Sequence, residues 1–173
     1  MVRHTGDMTS RGRPSYIVVP AVPNMANRLA TDVATVQLTV SVFLLALARR
    51  QGLSAAPLPA IATGFCSGMS QTAGPCGALT GAVMALGLVF GRHSGTDPAA
   101  PTYQAVKTLV QRFSEEFGAT GCADLLGCHL GTPEGQKTFT EQKLHRRCLD
   151  YTGRAAELAA AIIDQAGAPH PLA

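Results

Sequence analysis

Between Gly64 and Arg92 the chain reads GFCSGMSQTAGPCGALTGAVMALGLVFGR, and this stretch limits the folds open to it. Cys66 and Cys76 fall in a loop rich in Gly, Ser and Pro. Cys76 then opens a run with no charged residue from Gly77 to Gly91. A helix over that run puts Cys76 at its start, where free backbone N–H groups and the positive end of the helix dipole favour a thiolate. Its first turns are small (Gly77, Ala78, Gly81, Ala82, Ala85), so a neighbouring backbone or a cofactor can come close. One picture is a cysteine held beside something large inside the protein. The competing one is a buried small-residue helix in which cysteine serves as a small hydrophobe.

The chain has 173 residues, enough for one domain with a sizeable core. It is 46% apolar, only 14% charged and without Trp, which excludes a disordered chain. The net charge of +3 is spread out, with no basic stripe carrying interleaved aromatics, so nucleic acid is not an expected partner. Five cysteines with no secretory signal point to a reducing cytoplasm, where such residues serve metal or redox chemistry more often than disulfides.

In chain order, residues 1–27 read as a tail or extended strap. Ala26 to Gln51 reads as a long helix whose charge-free segment, Val33 to Ala48, is shorter than the roughly 20 residues a membrane span needs. A Pro-marked connection follows from Ser54 to Pro59, then a short helix from Leu58 to Gly64. The helix from Gly77 to Gly91 comes next, and composition makes a loop of His93 to Pro101. Tyr103 to Phe117 is amphipathic, with Val106, Leu109, Val110, Phe113 and Phe117 forming one stripe and Gly118 its stop.

Ala119 to Gly135 reads as short-range structure carrying Cys122 and Cys128. Glu141 to Gln165 reads as the last helix, with Leu144, Cys148, Tyr151, Ala155, Leu158 and Ile162 on one buried face. The expected fold is all-α: a small bundle of four to five helices with an irregular cysteine-bearing layer. One helical domain spans 28–167, and a short tail covers 168–173.

The stretch quoted above, then FSEEFGATGCADLLGCHLGTPEGQ, then Cys148 in RRCLDY, resembles the C_GCAxxG_C_C family of redox-active proteins. The motif CGAxxG stands here as Cys76-Gly77-Ala78-Leu79-Thr80-Gly81, and Cys122 and Cys148 match the two later cysteines. The resemblance runs from about Asp32 to Ile163. Members typically carry a further cysteine early in the first helix, and the matching position here is Thr39, which binds no soft metal. Cys66 and Cys128 then stand as its substitutes. The resemblance implies redox or iron–sulfur chemistry; the small first turn then sets Gly77 and Gly81 beside the cofactor, and electron transfer calls for a redox partner protein.

An iron–sulfur cluster needs converging thiolates, usually four, and Cys66, Cys76, Cys122, Cys128 and Cys148 are the candidates. Against this, no C-x-x-C occurs. A closed structural zinc site in a non-enzymatic module is a second expectation. A thiol–disulfide relay with Cys76 as a low-pKa attacking thiolate is a third. A GxxxG-like face from Gly77 to Gly81 adds the expectation of a homodimer sharing the cluster.

Other residues carry less. His129, beside Cys128, reads as a surface histidine, as do His93 and His145; Met69 and Met84 read as core. Glu115 and Glu116 point apart on a solvated helix face. Gly64, Gly68 and Gly74 lack the G-K-[ST] of a phosphate loop, and Ser67 has no neighbouring base.

Overall fold

The computed structural model describes residues 58–167. The expected tail over 1–27, the helix over 26–51 with Thr39, and the tail over 168–173 lie outside the described residues. Seven helices are present among the described residues: α1 (Leu58–Thr63), α2 (Cys66–Gln71), α3 (Gly77–Phe90), α4 (Ala100–Phe117), α5 (Cys122–Leu126), α6 (Pro133–Glu141) and α7 (His145–Gln165). No strand occurs among them, and the fold is all-α. Three long helices make the bundle, and two of the short ones, α2 and α5, carry cysteines and pack on each other.

The bundle is α3 packed on α7 and α4, with α4 also against α7. Its core holds Leu79, Leu86, Leu109, Phe113, Leu158 and Ile162, all buried. Each such side chain contributes about 1.5–3 kcal/mol by leaving water. α3 is apolar on nearly every side, so it takes the centre. α4 starts at Ala100, earlier than the apolar stripe alone indicates, because Pro101 in its first turn needs no N–H partner. Gly118, with φ 78°, ends it in the left-handed cap that its position foretold. The Thr102 hydroxyl donates to the Phe90 carbonyl and ties the end of α3 to the start of α4. The connecting loop closes on Asp97, whose carboxylate accepts the N–H groups of His93 and Ser94, each at 2.8 Å.

The last helix differs from expectation. Glu141 ends α6, the chain turns through Lys143 at φ 53°, and α7 begins at His145. α6 itself was not foreseen. Its start is a capped one: the Thr132 hydroxyl accepts from the Gly135 N–H at 3.0 Å, Pro133 takes the first turn, and Glu134 faces the positive end.

Candidate thiol site

Two of the cysteines are brought together by the backbone. Pro75 and Gly121 pair in an isolated antiparallel bridge. The Cys76 N–H donates to the Thr120 carbonyl at 2.8 Å, and the Cys122 N–H donates to the Gly74 carbonyl at 2.9 Å. Pro75 and Gly121 thus occupy the pair that exchanges no hydrogen bond, the one place where a proline without an N–H costs the bridge nothing. Immediately beyond, Cys76 caps α3 and Cys122 begins α5. Two helix starts, each with its cysteine, are fixed side by side.

Cys66 is delivered to the same place by a close approach. A Cβ on Gly77 would meet the Cys66 Cα at 3.2 Å and the Phe65 carbonyl oxygen at 3.4 Å, so the glycine of the CGAxxG motif makes room for this backbone. The Cys66 thiol is buried and donates to the Ala62 carbonyl at 3.5 Å. After it the chain turns left-handed, with positive φ from Ser67 through Gln71 and again at Ala73. Gly68, in the middle, has its Cα so close to Cys122 that an added Cβ would lie 2.5 Å from the Cys122 Cβ. The non-glycine residues of this turn carry a strain of about 1–2 kcal/mol each.

Cys148 comes from the first turns of α7. Its neighbours on the expected stripe (Leu144, Tyr151, Ala155, Leu158 and Ile162) are buried, while Cys148 is half-buried and packs against the core. Cys66, Cys76, Cys122 and Cys148 line one cavity of about 40 Å³ with Ser67, Gly77, Ala78, Leu125, Leu126, Tyr151 and Thr152. No charged side chain lines it. Space of that size admits roughly two or three waters. The four thiols surround it without closing on a point: among the described residues, no three His, Cys, Asp or Glu side chains are grouped as ligands of one ion.

Cys128 stands apart. It follows Gly127, the left-handed cap of α5 at φ 71°, is half-buried, and does not line the cavity. It is near enough for its charge to raise the pKa of both Cys122 and Cys148. Gly77 lines the cavity, whereas Gly81, one turn on, is buried in α3 away from the lining. At Gly77, the first glycine of the GxxxG-like face, the neighbour is the chain's own Cys66 segment.

Burial governs the protonation of these thiols. It pushes Cys122 and Cys148 up to about 12, with the nearby cysteines adding to the effect. Cys66 is raised by burial as well. Cys76 is also raised: burial outweighs the N–H groups of Ala78 and Leu79 at the start of α3, which pull the other way. The low-pKa Cys76 thiolate expected from its helix-start position is therefore corrected.

His129 is exposed, and its Nδ1 accepts the Gly131 N–H at 2.9 Å, so it shapes a turn and does not face the cavity. His93 is exposed, and His145 at the start of α7 is half-buried; neither lines the cavity. Met69 is 41% exposed, contrary to the core position expected for it. Two residues that sequence reasoning missed are Thr152, buried on the cavity wall with its hydroxyl donating to the Cys148 carbonyl at 2.8 Å, and Tyr151 as a polar lining group. The i, i+3 and i+4 spacing from Cys148 is the signal that places them.

The described residues thus form an all-α fold in which four free thiols line one cavity. Residues 39–162 match the family described as "Putative redox-active protein (C_GCAxxG_C_C)", and the chain belongs to that family. No curated protein and no solved structure matches the chain. Among the described residues, no helix is long and apolar enough to cross a membrane.

Proposed function

We propose that this redox-family protein holds an iron–sulfur cluster through Cys66, Cys76, Cys122 and Cys148 and passes electrons to and from a partner protein. The observation that carries the reading is the lining of one cavity by four free thiols from four separate segments. The chemistry of the donor set suits the group: soft thiolates, with no competing carboxylate or imidazole on the wall. Bound there, a cluster would supply one-electron chemistry within this pocket.

The chain's own residues supply the rest. The Pro75–Gly121 bridge holds Cys76 and Cys122 in fixed relation, and Gly77 and Gly68 admit the Cys66 turn against them. The N–H groups of Ala78 and Leu79 at the start of α3 favour the negative form of the Cys76 sulfur, the form that would hold a metal. Cys128 is outside the ligand set. A relay in which Cys76 attacks as a thiolate is disfavoured, because burial raises that thiol.

The test is the visible spectrum of anaerobically purified protein with iron, sulfide and zinc assayed on the same sample. Broad absorbance near about 400 nm that bleaches with dithionite, with iron and sulfide in comparable amounts, is expected. Colourless protein with zinc would assign a structural site instead. Colourless protein that neither metal nor reconstitution changes would refute both.

A further inference from the structure

We infer that Tyr151 is the positioning residue of the thiol cavity, its hydroxyl fixing the span between Cys148 on α7 and Cys122 on α5. The inference rests on the reading of the cavity as a working thiol site. α5 is only five residues long and cannot hold its own place. Its first residue is anchored by the Cys122 N–H on the Gly74 carbonyl at 2.9 Å. Its other end is gripped from α7, because the Leu125 carbonyl is among the last of the helix and has no partner within it. The Tyr151 hydroxyl donates to that oxygen at 3.0 Å, and the Arg147 guanidinium reaches it at 3.4 Å.

Arg147 and Tyr151 lie four residues apart, with Cys148 between them. Cys148, Tyr151, Cys122 and Leu125 share the cavity wall, so this joint crosses the site itself. The direction of the hydroxyl is set in advance. The Tyr151 ring stands edge-on to Phe117 at 4.9 Å and lies 6.3 Å from Phe113, both on α4. The bundle core thus orients a ring whose single polar atom ties one cysteine-bearing helix to the other.

Tyr151→Phe keeps the ring and removes only the bond. The probe is a trivalent arsenical, phenylarsine oxide, added to reduced, metal-free protein. Two thiols lose their protons, two S–As bonds form, and the arsenic oxygen leaves as water with arsenic still trivalent. In a chain with Cys66, Cys76 and Cys128 replaced by Ala, only Cys122 and Cys148 remain to close on the arsenic. Tyr151→Phe is expected to weaken this capture about tenfold with helicity unchanged. Leu109→Ala, which loosens the same core at a residue that neither lines the cavity nor meets the Tyr151 ring, is expected to leave capture unchanged below its unfolding temperature.

Equal capture with Tyr and Phe at position 151 would overturn the inference, as would equal weakening by Leu109→Ala. If the triple-Ala chain does not fold, the comparison moves to the chain with all its cysteines, where arsenical protection of Cys122 and Cys148 from alkylation is read by peptide mass. The comparison needs no metal. A protein without iron would sink the cluster reading, while the arsenical result still decides the role of Tyr151.

Discussion

Cys122 and Cys148 hold their protons up to about 12, whereas in the unfolded chain such thiols titrate near 9. From pH 9 to 12 the unfolded chain gives up protons that the folded one keeps, so rising pH favours unfolding across that window. The stabilising contribution is complete below pH 9. Urea midpoints of reduced, metal-free protein should therefore fall between pH 8 and 10.5. Each thiol contributes a slope of at most about 1.4 kcal/mol per pH unit, and Cys148→Ala should flatten it. A midpoint that holds steady or rises over that range would contradict the burial of these thiols. Gly68 makes a second prediction at this scale. Gly68→Ala puts a Cβ 2.5 Å from that of Cys122 on a backbone at φ +64°. It should cost about 1–3 kcal/mol and lower metal content. Gly64→Ala, with nothing within 4 Å of its Cβ, should be nearly neutral to site loading.

The left-handed turn after Cys66 is the element where strain is concentrated. Gln71 is exposed at φ 71°. Gln71→Gly should raise stability by about 0.5–1 kcal/mol, the relief of left-handed strain less the added freedom of the unfolded chain. A lower urea midpoint for that variant would show that the turn is not strained there. α6 gives the complementary case, a helix end away from the cavity. Thr132→Ala removes its cap and should cost about 1 kcal/mol while leaving metal content intact. These two elements also mark the limit of what was legible in the residues. α4 and the buried face of α7 are legible because long runs repeat their apolar positions at helical spacing, and α3 because it is one unbroken charge-free run. α6 was passed over because its nine residues bury only Gly135 and Phe139, too few to make a stripe, although Thr132-Pro133-Glu134 spells a helix start. A left-handed turn through Ser, Met and Gln leaves no mark in the sequence, since none of these residues prefers it.

At the scale of the whole molecule, the cysteines are too far apart in sequence for spacing to reveal the site; the fold supplies what spacing lacks. A two-residue bridge joins Cys76 to Cys122, a glycine admits Cys66, and α7 brings Cys148 across, while Cys128 remains outside the cavity. The family motif pointed to Cys76, Cys122 and Cys148 as a set. The choice between Cys66 and Cys128 could not be made from the chain alone, because it depends on which side of α5 faces the cavity. The measurement that bears most directly on this account is iron and acid-labile sulfide per chain across the five single Cys→Ala variants, each purified anaerobically. The account predicts that Cys66→Ala, Cys76→Ala, Cys122→Ala and Cys148→Ala lose most of both, and that Cys128→Ala keeps them. Full iron and sulfide in Cys66→Ala together with their loss in Cys128→Ala would contradict it.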